Sequence, residues 1–137
     1  MKNSITKPSK NPRKILKKSE NPTLLEKGRQ GESVAAVYLQ RHGYTIKERN
    51  YRISKYEVDI LAEKDNTLVF CEVKMRSNIK NGSPEYNVGA DKLHKLTRAA
   101  MLYLNYFPYA GAVRLDVLAV NPYKDGFEVK HYKDVLY

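Results

Sequence analysis

The sequence predicts an α/β or α+β domain, one sheet with helices packed on it, behind a basic N-terminal arm. Three observations predict it. YEVDILAEK (56–64) and TLVFCEVKMR (67–76) alternate side chains with period two, the habit of strands that show a different surface on each face. Residues 24–42 and 91–107 instead carry apolar side chains at helical spacing. Residues 1–23 have neither period and are rich in Lys, Asn, Ser and Pro, the composition of a flexible, disordered arm.

A chain of 137 residues is the size of one domain with an appendage, read here as arm 1–23 and domain 24–137. Twenty-five Lys and Arg against fifteen Asp and Glu give a net charge of +10. Such an excess favours an anionic partner, nucleic acid or an acidic membrane surface. Cys71 is the only cysteine, so no intrachain disulfide forms and secretion is disfavoured. The basic start lacks the apolar run of a signal peptide, and no segment approaches the roughly 20 apolar residues that span a bilayer. The cytoplasm is the expected compartment. His42, His94 and His131 are too scattered for a zinc pattern and are expected at the surface or half-buried.

The first helix, 24–42, places Ala35, Tyr38, Leu39 and His42 on one side, and Gly43 supplies its stop. Gly28 and Gly31 weaken its opening turns, so it is expected to firm up after Gly31. YTIKERNYRI (44–53) reads as a strand, ended by a Ser54-Lys55 break. In the next strand Val58, Ile60 and Ala62 share one face and Glu57, Asp59, Leu61 and Glu63 the other. In 67–76, Leu68, Phe70, Glu72, Lys74 and Arg76 share a face, opposite Val69, Cys71, Val73 and Met75. A polar loop with Asn81-Gly82-Ser83-Pro84 leads to the second helix, whose stripe is Leu93, Leu96, Ala100, Tyr103, Leu104 and Phe107; Pro108 ends it. AVRLDVLAV (112–120) is a further strand, with Asp116 read as structural, and GFEVKHY (126–132) a short last one.

If 56–64 and 67–76 form a hairpin about Asp65-Asn66, paired residue numbers sum to 131. Ile60 then faces Cys71, Leu61 faces Phe70, Asp59 faces Glu72 and Glu57 faces Lys74. Facing carboxylates destabilise a sheet, the more so beside Leu61 and Phe70, so stability alone does not choose them. A divalent cation resolves the conflict, since Mg²⁺ takes one or two carboxylates and completes its shell with water and phosphate oxygens. Asp59 and Glu72 suit that role, with the Val73 carbonyl as an extra ligand. Lys74, facing the same way, suits the attacking water or the phosphate. Glu57 reads as the ion-pair partner of Lys74. Arg49, Arg52 and Lys55, interleaved with Tyr51 and Tyr56, make a basic aromatic strip for nucleic acid, and Arg76 and Lys92 extend the charged face toward phosphate.

Asp59 followed by Glu72-Val73-Lys74 at the end of the next strand resembles the PD-(D/E)XK nuclease superfamily of restriction enzymes and junction resolvases. More closely, GRQGESVAAVYLQRHGYTI, ERNYRISKYEVDILAEKDNTLVFCEVKMR, DKLHKLTRAAMLYL and VRLDVLAV resemble the YraN-like family of predicted nucleases. That resemblance implies a restriction-endonuclease-like mixed sheet of four to five strands flanked by helices. It also implies a Mg²⁺- or Mn²⁺-dependent endonuclease with the metal at Asp59, Glu72 and Val73, and catalysis by these carboxylates with Lys74. Glu32 stands where related resolvases place a first-helix glutamate beside the metal. Their two active sites imply a homodimer. The partner so implied is nucleic acid, DNA in preference to RNA, and no membrane. Tyr56 departs from the family's usual Gly-Glu-(Ile/Val)-Asp, which keeps open an alternative: a nucleic-acid-binding module with little or no catalysis.

Overall fold

The computed structural model describes residues 24–75 and 89–135. The arm 1–23, Arg76 and the Asn81-Gly82-Ser83-Pro84 loop lie outside the described residues. In chain order the elements are α1 (Leu24–Arg41), β1 (Thr45–Ile53), β2 (Tyr56–Lys64), β3 (Thr67–Met75), α2 (Ala90–Tyr106), β4 (Ala112–Tyr123) and β5 (Gly126–Tyr132). The strands form one five-stranded sheet in the order β1-β2-β3-β4-β5. All neighbours are antiparallel except β3 and β4, which run parallel. A parallel pair needs a crossover, and α2 provides it. The predicted class therefore stands, as a mixed sheet flanked by two helices. No described helix is long and apolar enough to cross a membrane.

Each helix covers one face. Beneath α1 lie Ala35, Leu39, Ile60, Ala62, Val69, Cys71, Leu118 and Val120. Beneath α2 lie Ile53, Val58, Leu61, Leu68, Phe70, Leu96, Ala99, Ala100 and Leu115. Burial on both sides makes β3 and β4 near-continuous apolar runs, as parallel strands require. Phe107, expected in the α2 stripe, is exposed past the helix end and leans on Tyr103.

The opening of α1 differs from expectation, because the helix runs unbroken through Gly28 and Gly31. At Gly31 the reason is contact: an added Cβ would stand 3.0 Å from both Cβ and Sδ of Met75. The glycine lets the helix approach the end of β3, and that packing outweighs its low helix propensity. The helix closes as predicted. Gly43 has φ +90°, while the Gly43 N–H donates to Gln40 O and the Tyr44 N–H to Leu39 O, a paired C-terminal cap.

The β2–β3 hairpin has the predicted register, from Lys64↔Thr67 to Ile60↔Cys71. Its two turn residues, Asp65 (φ 49°) and Asn66 (φ 58°), both lie in the left-handed region, the turn geometry that matches strand twist. The Asn66 carbonyl accepts the Ala112 N–H at 3.1 Å, and a Cβ on Gly111 would overlap that same carbonyl. The crossover is thus pinned against the hairpin tip.

On the α1 side of β4, at the rung Cys71↔Asp116, lies a closed polar network. Asp116, fully buried, accepts Arg114 Nε and Nη2, both at 2.9 Å, and the Asp134 N–H at 3.0 Å. Its Oδ2 also lies 2.7 Å from His131 Nε2. Arg114 donates to the Tyr44 hydroxyl, and Tyr38 pairs with the other nitrogen of His131. The structural reading of Asp116 holds. His131 is half-buried as expected, with its side chain turned inward and only 5% exposed. A carboxylate needing a second partner draws the imidazole inward. His42 and His94 are exposed as expected.

Burial alone would raise the Asp116 carboxyl, but His131, Arg114 and the Asp134 N–H together hold it below its ordinary 3.8. A carboxyl depressed on folding stabilises the protein above its unfolded pKa and loses that effect as pH falls toward the folded one. Asp116→Ala is therefore expected to cost about 3–5 kcal/mol in urea unfolding at neutral pH. The difference from wild type should shrink as pH drops below 3.8.

Candidate functional site

The β2–β3 ladder stops at Ile60↔Cys71, and Cys71 pairs on its other side with Asp116. One rung further the register would set Asp59 against Glu72. There the side chain replaces the ladder: Asp59 Oδ2 accepts the Val73 N–H at 2.8 Å. Glu72 lies on the α2 side of β3, its side chain only 12% exposed, with Lys92 Nζ of the first turn of α2 at 3.2 Å from Oε2.

Burial first, and then the nearby Glu72, push the Asp59 carboxyl from 3.8 up to about 7. The Val73 N–H opposes that shift, while Glu32 and Glu57 add to it. Glu32, on α1, is also raised, by burial first; Asn50 and Arg49 pull it down and Glu57 and Glu72 push it up. Lys92 is raised chiefly by Glu72. Four acids from α1, β2 and β3 thus share one field.

The sequence-predicted residues distribute around this centre unevenly. Lys74 is half-buried on the same side of β3 as Glu72, with no ion pair among the described residues. At Val73 the recorded contact is through its N–H, where its carbonyl was expected to serve. The expected Glu57–Lys74 pair is not formed. Glu57 instead stands 3.9 Å from Arg52, because β2 leaves β3 before that rung and stays paired with β1 at Arg52↔Glu57. Arg49 donates to Ser33 of α1 at 3.3 Å. Lys55 lies over the Tyr56 ring at 5.6 Å, and Tyr56 is half-buried against the α2-side core. Both sit three or four residues along β2 from Asp59, on the order of 10 Å at strand rise.

Two features were not read from the sequence. Val58 packs on the α2 side, away from Ile60 and Ala62, so the alternation expected of β2 breaks at Asp59. Across from it, Asn50 has φ 51° in the middle of β1, and its side chain lowers the Glu32 carboxyl. Asn in the middle of a predicted strand was the available signal, since Asn tolerates this conformation better than most.

Among the described residues no three His, Cys, Asp or Glu side chains converge as a ligand cluster. The donor set is two carboxylates with hard oxygens, which suits a cation that retains much of its water shell, and does not suit zinc. The model of Uncharacterised protein family UPF0102 matches residues 31–120, which include Glu32, Asp59, Glu72, Lys74 and Lys92. The chain belongs to the UPF0102 family. A UPF0102 protein of Bacteroides thetaiotaomicron is 40% identical over 112 residues, covering 82% of this chain and 93% of its own. One from Chlorobium chlorochromatii is 42% identical over 118 residues, covering 82% and 92%. One from Desulfosudis oleivorans is 48% identical over 94 residues, covering 68% and 76%. The YraN-like resemblance is thereby borne out, and this UPF0102 chain spans nearly the full length of the first two relatives.

A carboxyl raised on folding carries the opposite linkage to Asp116. Its stabilising effect is present below its ordinary 3.8 and lost as pH rises through about 7. In metal-free buffer, Asp59→Asn should therefore be more stable than wild type by on the order of 1–2 kcal/mol above pH 7, a common cost of a functional group. Urea unfolding at several pH values should show that advantage fading toward pH 4.

Proposed function

We propose that this UPF0102 protein is a metal-dependent nuclease that hydrolyses phosphodiester bonds of DNA, with Mg²⁺ or Mn²⁺ at Asp59 and Glu72. The observation that carries the reading is the uncompensated pair itself: Asp59 is pushed to about 7 by burial and by Glu72, with only the Val73 N–H opposing. Groups perturbed this way concentrate at functional sites. When bound, the ion supplies Lewis-acid polarisation of the phosphate and activation of water.

The chain's own residues take the remaining roles. Asp59 and Glu72 hold the ion, with the Val73 carbonyl beside them. Lys74 offsets negative charge developing on the phosphate. Glu32 accepts or orients a proton at the margin of the centre. Arg49, Arg52, Lys55 and Tyr56 contact the strand backbone or a base face, and Lys92 and Arg76 take flanking phosphates. Branched and single-stranded DNAs are the preferred substrates in this reading.

One observation favours a second reading, a nucleic-acid-binding module with little catalysis. The Lys92 ammonium already lies 3.2 Å from Glu72 and neutralises half of the pair without an ion.

Calorimetry separates the two. Wild type should bind Mn²⁺, and Asp59→Ala and Glu72→Ala should lose it; no binding by the wild type would sink the catalytic reading. Affinity should tighten as pH rises through about 7, because Asp59 must shed its proton first. Lys74→Ala should keep the metal and lose cleavage by roughly 10²–10³-fold on a panel of duplex, single-strand, flap and four-way-junction DNAs. Cleavage that survives that change belongs to a contaminant. For DNA binding, log affinity should fall steeply with log salt, and less steeply once residues 1–23 are removed.

A further inference from the structure

β1 and β2 change pleat together at a single rung. Arg49 reaches Ser33 of α1, whereas Tyr51, two residues on, packs edge-on against Tyr103 of α2 with ring centroids 5.7 Å apart. In a regular strand those two side chains share a face. On the partner strand Ile60 belongs to the α1-side core and Val58 to the α2-side core. Arg49↔Ile60 and Tyr51↔Val58 keep the same register, so no residue has been inserted between them. Asn50 and Asp59 occupy the rung where both strands invert.

Only one of the two has a left-handed backbone. Asn50 has φ 51°, and side chains other than Gly, Asn and Asp adopt that conformation reluctantly. Nothing in the packing explains it, since Asn50 is exposed and its rung carries no ladder pair. What the inversion achieves is orientation. Asp59 turns edge-on along the sheet to the Val73 N–H, between Glu32 on the α1 side and Glu72 on the α2 side.

We infer that Asn50 is a positioning residue, whose left-handed backbone inverts the pleat so that Asp59 points at Val73. The inference rests on reading Asp59 and Glu72 as the metal carboxylates, and it deepens that reading. Backbone strain of this kind is characteristic of functional sites, where the surrounding structure over-determines it.

Three variants test it. Asn50→Gly keeps the left-handed conformation and removes the amide, whereas Asn50→Ala and Asn50→Val oppose the conformation. One readout needs no metal: hydrogen exchange of the Val73 amide at fixed pH, corrected for global stability. Asn50→Val should speed that exchange and weaken Mn²⁺ binding, each by about tenfold or more, and Asn50→Gly should leave both within about threefold of wild type. If Asn50→Val does not fold, Asn50→Ala carries the same expectation in the same direction. Retained Val73 protection in the folded Val or Ala variant overturns the inference, as does equal loss in Asn50→Gly. Should wild type bind no Mn²⁺, the metal reading fails, while Val73 exchange still decides the role of Asn50.

Discussion

Asp59 and Glu72 stand on neighbouring inner strands although their charges repel and little water reaches them. The sheet holds them there: five rungs of antiparallel pairing bring β2 and β3 to the point where the ladder ends, and Asp59 then bonds the Val73 N–H. The surrounding structure answers to that pair. α1 brings Glu32 into its field, α2 brings Lys92 to Glu72, and β1 bends at Asn50 opposite Asp59.

The same sheet contains the opposite solution to a buried carboxylate. Asp116, on β4 and level with Cys71, has Arg114, His131 and a backbone N–H around it, and its carboxyl is held low. Asp59 has one backbone N–H and three acidic neighbours, and its carboxyl is raised. Satisfied buried charge is what a fold uses to close itself, here by fastening the C-terminal residues to β4. Unsatisfied charge is a standing cost that binding of a cation would remove, which is why the two acids are assigned different purposes.

Close contacts keep the uncompensated end in register. Gly31 lets α1 touch Met75 at the end of β3, next to the carboxylates, and Gly111 lets the crossover touch the hairpin tip at Asn66. The first helix and the crossover are therefore anchored at opposite ends of β3. The crossover that makes β3 and β4 parallel also carries Lys92 on its first turn, so topology decides which ammonium reaches Glu72.

The elements, the hairpin register and the approach of Asp59 to Glu72 were legible in the sequence, because these depend on local period and on a two-residue turn that fixes pairing by arithmetic. The Asp116 network was legible in part, its acid read as structural and its partners Arg114, His131 and Tyr44 not. The partner of Glu57, the contact of Lys92 with Glu72 and the unbroken opening of α1 came from packing between elements, since each depends on a neighbour outside its own segment. The pleat inversion at Asn50 and Asp59 belongs there too. A period-two pattern presumes a regular strand, and one left-handed residue is enough to exchange its faces without changing a letter of the sequence.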